Sequence, residues 1–203
     1  MNHLLLLNIL KGIDMNKQQI IAKIDAIMAQ AAELDYLGEG TSQLEHALQC
    51  GYFAEKAGCD TETIIAALLH DIGRLSAMEN GVSVEQLDSG LGHEYLGAKL
   101  LRELHFSPKV CSLVRNHVIA KRYLVTKSNE YYNALSPRSK YSFDLPHQRG
   151  RMSELELLEF ETDPYFQDSL KVRTTDDKGK AANLEVPPIA YYHEMMAQCI
   201  LVD

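Results

Sequence analysis

Residues 64–75 read IIAALLHDIGRL. The apolar run from Ile64 to Leu69 is helical in character and ends on the adjacent pair His70-Asp71. A buried aspartate beside a buried histidine is costly unless a cation or a partner neutralises it. One carboxylate can bridge two metals while the neighbouring imidazole binds one of them. Such a site needs further imidazoles and carboxylates converging from other helices. The sequence supplies them at wide intervals: His46, His93, His117 and Asp176.

Each of these residues falls in or beside a helical pattern. Ile20, Ile24, Ile27, Met28, Ala31 and Leu34 recur at helical spacing after Asn16. Gly38 and Gly40 interrupt the pattern, which places Tyr36 and Glu39 on a mobile loop. A helix over 43–56 carries His46, and Gly58 ends it. Asp60 and Thr61 cap the helix that runs into His70-Asp71. Residues 78–92 read as a loop with a short helix, after which His93 opens another. Ser107-Pro108 is an N-cap followed by proline at the first helical position, and that helix holds His117 and Lys121. Residues 127–151 are polar and turn-rich, an insertion over one mouth of the bundle. Ser153 with Glu156 forms a capping box. Asp163-Pro164 starts a helix reaching Arg173 and Asp176, with Gly179 as its stop, and Pro187-Pro188 begins a last helix. The fold class is therefore all-α.

Length and composition set the bounds. The 203 residues suit one domain over 16–203 with an N-terminal extension over 1–15. The apolar stretch from Leu4 to Leu10 lacks a basic leader and is too short to span a bilayer, so no membrane association is expected. A net charge of −8 with no long basic run argues against nucleic acid as a partner. Cys50, Cys59, Cys111 and Cys199 form no CxxC and lie in helical contexts, as small core residues of a protein in a reducing cytoplasm.

Imidazole and carboxylate together suit iron, manganese, zinc or cobalt. Four histidines and two aspartates are too many ligands for one catalytic metal that keeps an open position. They suit two metals sharing Asp71. The competing reading is a set of separate, individually satisfied core histidines. His3, His105, His147 and His193 are assigned to surface or structural roles. Cations stand near the ligands as well. Lys121 lies one turn after His117, Arg74 one turn after His70-Asp71 if the helix continues through Gly73, and Arg173 nearly one turn before Asp176. Together they describe a pocket for a tetrahedral oxyanion such as phosphate or phosphonate.

The spacing His46…His70-Asp71…Asp176 is the pattern of the HD-domain superfamily, an all-helical metal-dependent bundle. DYLGEGTSQLEHALQC (35–50), AALLHDIG (66–73), GHEYLGAKLL (92–101), NHVIAKRYLV (116–125) and KVRTTDDKGK (171–180) together resemble the PhnZ-type phosphonate oxygenases, relatives of myo-inositol oxygenase. The likeness covers Asp35 to Lys180 and continues weakly into VPPIAYYHEMM (186–196). It implies a mixed-valence Fe(II)/Fe(III) di-iron centre. One iron would be held by His46, His70, Asp71 and Asp176, the other by His93 and His117, with Asp71 bridging. It implies O2 as co-substrate and cleavage of the carbon–phosphorus bond of a 1-hydroxyphosphonate. That reaction converts 2-amino-1-hydroxyethylphosphonate to glycine and phosphate, or its trimethylammonium analogue to glycine betaine and phosphate.

By position, Tyr36 matches a tyrosine that can occupy an iron site before substrate arrives, and Glu39 a carboxylate that meets the substrate amine. Lys121, Ser136 and Arg173 match residues around the phosphonate. Where the PhnZ pattern has histidine this chain has Arg74, a permanent cation with a planar fork that cannot accept a proton. Tyr36, Tyr131 and Tyr132 could face a quaternary ammonium. The alternative is a metal-dependent HD-type phosphohydrolase of a small phosphate ester or nucleotide, in which the metals activate water. Third is a regulatory HD protein without turnover. A monomer or small homo-oligomer is expected.

Overall fold

The computed structural model describes residues 15–32, 34–36, 38, 40–83, 86, 92–145 and 148–202. The expected extension over 1–15 therefore lies almost wholly outside the described residues, as do Glu39, His3, His147 and, within the expected loop over 78–92, residues 84, 85 and 87–91. Among the described residues the fold is all-α, with two isolated β-bridges, Asp35 to Ser42 and Phe106 to Ile200.

Helix α1 spans Lys17–Gln30, α2 Gln43–Lys56, α3 Thr61–Leu69, α4 Ile72–Glu79, α5 His93–Glu103 and α6 Pro108–Lys127. Two short helices follow, α7 (Asn129–Ala134) and α8 (Pro137–Asp144). Then come α9 (Glu154–Glu161), α10 (Phe166–Lys178), a 3-10 turn over Ile189–Tyr192 and α11 (His193–Cys199). Asp60, Ser107 and Ser153 cap their helices as expected, and Asn16 and Ser42 cap two more. Asn16, Ser42 and Ser153 form capping boxes, and Asp60 and Ser107 accept from the backbone three residues on.

Helix α3 is the hub. Every residue from Thr63 to Leu69 is buried, because α2, α6, α10 and α11 all pack on it. A helix surrounded in this way must be apolar on all faces, which explains its unbroken hydrophobic run. Each Ile or Leu buried there contributes roughly 1.5–3 kcal/mol of transfer free energy. The main core joins residues of α1 to α6, α10 and α11. Two satellite clusters, around Phe160 and around Phe143, lie under α9 and α8.

Several expectations are corrected. The helix does not continue through His70-Asp71. It ends at Leu69 and restarts at Ile72 with Asp71 as the cap residue, and the break turns both side chains inward. Residues 129–144 are largely helical, because Ser128 and Ser136 cap two short helices. The helix expected from Asp163-Pro164 begins at Phe166, since Asp163 Oδ1 accepts from Tyr165 N and holds a turn before it. Cys59 is half-buried in the link after α2 rather than in a helix, and all four cysteines are free. None of the described helices is long and apolar enough to cross a membrane.

Candidate metal centre

Five segments meet at the C-terminal end of α3. His46 comes from α2, His70 and Asp71 from the break after α3, His93 from the start of α5, His117 from the middle of α6 and Asp176 from the last turn of α10. His93 can reach Asp71 because α4 and α5 cross at two glycines. A Cβ on Gly73 would lie 2.0 Å from the His93 carbonyl oxygen and 2.3 Å from Gly97 N. Only bare backbone permits that approach.

The six side chains form two groups around Asp71. In the first, His46 Nε2 and His70 Nε2 are 3.2 Å apart. Asp176 Oδ1 lies 3.6 Å from His46, Asp176 Oδ2 3.9 Å from His70, and Asp71 Oδ2 3.5 Å from His70. In the second, His93 Nε2 and His117 Nε2 are 3.0 Å apart. Asp71 Oδ1 lies 3.1 Å from His93 and 4.0 Å from His117. The two oxygens of Asp71 thus face different groups, as a bridging carboxylate requires.

The hydrogen bonds show that a cation fits. His46 Nδ1 donates to the Gly179 carbonyl at 2.7 Å, His70 Nδ1 to Ala67 at 2.8 Å and His117 Nδ1 to Val114 at 2.6 Å. A carbonyl only accepts, so each Nδ1 carries the proton and each Nε2 keeps a bare lone pair. Those of His46 and His70 point at each other at 3.2 Å, an arrangement that repels unless a cation lies between them. His46 does not relieve this by taking a proton at neutral pH. Burial, and then the neighbouring His70, push His46 down to about 4. His117 is likewise held well below its ordinary value, first by burial and then by His93 and His70. Burial alone would raise both carboxyls. His70, His93 and Arg74 override it at Asp71, and Arg173, His70 and His46 override it at Asp176, so both stay ionised. Neutral imidazoles and anionic carboxylates are the protonation states that ligate metals.

Cys50 also stands close, with Sγ 3.7 Å from His46 Nε2. Burial and then Asp176 raise its thiol well above the usual range, and Sγ donates to the Thr175 carbonyl. A protonated thiol engaged in this way is a poor ligand beside two carboxylates.

A small polar cleft, with internal space of about 50 Å³, opens onto the second group. Tyr36 forms one wall, stacked on the His46 ring at 3.7 Å between centroids. Burial pushes its phenol pKa well up, so it packs there as a neutral ring. Arg74 lines the cleft while only 5 % exposed, and its Nε and Nη1 have no hydrogen-bond partner. Lys121 donates to Ser142 Oγ at 2.8 Å, and burial followed by Arg173 lowers its pKa to about 7.

Arg173 also reaches the cleft, but it is engaged. It donates to Asp176 Oδ2 at 2.5 Å and to Asp177, and its Nε meets Tyr131 OH. Ser136 caps α8 and accepts from Lys180. The serines of that helix that line the cleft are Ser139 and Ser142. Lys180, which also lines it, was not singled out by the sequence reading. The i, i+3 spacing of Ser136, Ser139 and Ser142 was the available signal, hidden by reading this stretch as turn. Tyr131 is tied through its hydroxyl to Asp177 and Tyr132 to Asp144, and neither is among the residues that line the cleft. His105 is exposed and His193 contacts Asp25, in line with their structural assignment.

Residues 44–145 match the HD domain family. Five of the six converging residues lie inside that stretch and Asp176 beyond it. The chain is 38% identical, over 90% of its length and 84% of the relative's, to an uncharacterised protein of Acanthamoeba polyphaga mimivirus. It is 35% identical, over 92% of its length and 93% of the relative's, to the 1-hydroxy-2-(trimethylamino)ethylphosphonate dioxygenase (glycine-betaine-forming) of Leisingera caerulea. It is 36% identical, over 81% of each chain, to the hydroxymethylphosphonate dioxygenase of Gimesia maris.

Proposed function

Because this chain belongs to the HD-domain family and is a dioxygenase akin to the phosphonate dioxygenases, we propose that it cleaves the carbon–phosphorus bond of a short 1-hydroxyphosphonate with two irons and O2. The observation that carries this reading is the division of six ligating side chains into two groups that share the two oxygens of Asp71. In it, His46, His70, Asp71 and Asp176 would hold one iron, and His93 and His117 the other, with Asp71 common to both. A mixed-valence Fe(II)/Fe(III) pair held there would supply the redox chemistry by which O2 oxidises the hydroxyl-bearing carbon. The products are a carboxylic acid and inorganic phosphate, and one O2 is consumed for each bond broken.

The side chains bind and orient the substrate. The unpartnered Nε and Nη1 of Arg74 leave N–H donors of a buried, permanent cation for phosphonate oxygens. Lys121 and Ser139 line the same cleft and offer further donors, while Ser142 gives its hydroxyl proton to the Ser139 carbonyl and accepts from Lys121. Arg173 acts on the anion only through its charge, since its donors are spent on Asp176 and Asp177. Tyr36 closes the side of the cleft against His46. Gly38 and Gly40 follow it with left-handed backbone, and Glu39, outside the described residues, is the carboxylate that would meet a substrate amine on the family resemblance. The candidates are 2-amino-1-hydroxyethylphosphonate, giving glycine, and its trimethylammonium analogue, giving glycine betaine.

The test is phosphate release from a panel of hydroxyphosphonates by iron-loaded protein, with and without O2. Release that needs O2 and matches its consumption one to one supports the proposal. Release at the same rate without O2 returns the chain to the phosphohydrolase alternative.

A further inference from the structure

Three of the four histidines in the centre are fixed by backbone carbonyls, which are neutral and immobile acceptors. His93 differs. Its Nδ1 faces the carboxylate of the next residue, Glu94, with Oε2 at 3.6 Å. Glu94 is 7 % exposed and its Oε2 has no hydrogen-bond partner. A buried carboxylate oxygen left without a donor costs free energy in proportion to its desolvation, so its place beside an imidazole nitrogen calls for an explanation. The first turn of α5 supplies one, because it holds both residues in a rigid frame that Gly92, at φ 56°, starts.

We propose that Glu94 is a positioning residue for the second metal: its carboxylate takes the Nδ1 proton of His93 as a hydrogen bond, fixing Nε2 as the ligating nitrogen and strengthening it as a donor. The inference rests on the two-metal reading above. When Nε2 gives its lone pair to a cation, the Nδ1–H becomes more acidic, and the 3.6 Å contact tightens into a charge-assisted hydrogen bond. The second position has only two histidines and a shared carboxylate, so it gains most from a stronger imidazole. The first position has four ligands, two of them carboxylates, and does not touch Glu94.

The experiment is an anaerobic Fe(II) titration of the apo-protein against a chromophoric chelator, for wild type, Glu94→Gln and Glu94→Leu, with the melting temperature of each apo-protein as a control. Glutamine keeps an acceptor and loses the charge, whereas leucine loses both. The expected result is two irons in the wild type, with the weaker one loosened about 10- to 100-fold in Glu94→Leu, less in Glu94→Gln, and the tighter one unchanged. Two irons held with wild-type affinity in Glu94→Leu would overturn the inference and leave the two-metal reading standing. Equal loosening of both irons with a lowered apo melting temperature would also overturn it, in favour of a packing role. Fewer than two irons in the wild type would overturn both.

Discussion

His46 donates from Nδ1 to the carbonyl of Gly179, three residues beyond Asp176, at 2.7 Å. One hydrogen bond therefore joins His46 on α2 to the end of the helix that carries Asp176. Gly179 has an ordinary φ of −72°, so its small size, not its conformation, matters here. A Cβ there would lie 2.5 Å from Cys50 Sγ and 3.1 Å from His46 Nδ1. Gly179→Ala should cost about 1–3 kcal/mol by overpacking and should turn His46 away from the first position. Thermal melting and iron content, read together, check this. Full iron content with an unchanged melting temperature would show that the contact is not needed.

The crossing of Gly73 and Gly97 permits a sharper test. In Gly73→Ala the added Cβ would meet backbone on both near contacts, the His93 carbonyl and Gly97 N, and backbone cannot rotate aside. Helix α5 must move away and take His93 with it. The expected outcome is loss of one iron per chain and a lower melting temperature. Gly38→Ala, with nothing within 4 Å of its Cβ, should strain only the loop backbone, where φ is +82°, and leave the iron content intact.

Lys121 makes anion binding depend on pH. Its pKa, about 7 in the folded protein, lies below its ordinary value of 10.5 because of burial and Arg173. The folded state therefore binds fewer protons than the unfolded chain between pH 7 and 10.5. This group's destabilising contribution is full below pH 7 and fades as pH rises through 10.5. An anion beside Lys121 favours the ammonium form, so binding takes up a proton above pH 7. Affinity for sulfate, a tetrahedral dianion that does not titrate in this range, should fall about tenfold per pH unit above 7. Calorimetry in buffers of different ionisation enthalpy should show the uptake, and Lys121→Met should abolish it. Equal proton uptake in the variant would assign the effect to another group.

Much of this architecture is legible in the sequence because its signals are local. The caps at Asn16, Ser42, Asp60 and Ser107 mark helix starts, and the apolar run of α3 announces a helix buried on every face. The ligands are readable because a histidine-aspartate pair at the end of such a run is costly alone. What the sequence conceals is long-range. The close passage of Gly73 and Gly97 depends on two helices separated by more than a dozen residues. The engagement of Arg173 by Asp177 and Tyr131 as well as by Asp176 depends on side-chain packing. Ser139, Ser142 and Lys180 reach the cleft only because residues 129–144 fold as helices over it, and serine-rich, proline-punctuated sequence reads as turn. Glu94 carries no signal of its own, since an acidic residue in a first helical turn is ordinary.

The shared carboxylate is tested most directly by electron paramagnetic resonance of the partly reduced, iron-loaded protein, with Asp71→Ala alongside. Wild type should hold about two irons per chain and give the coupled signal of a mixed-valence pair, shifted on adding a hydroxyphosphonate, and Asp71→Ala should lose that signal with its iron. A wild-type spectrum of isolated ferric ions only, unchanged by substrate and retained in Asp71→Ala, would contradict a centre bridged by Asp71.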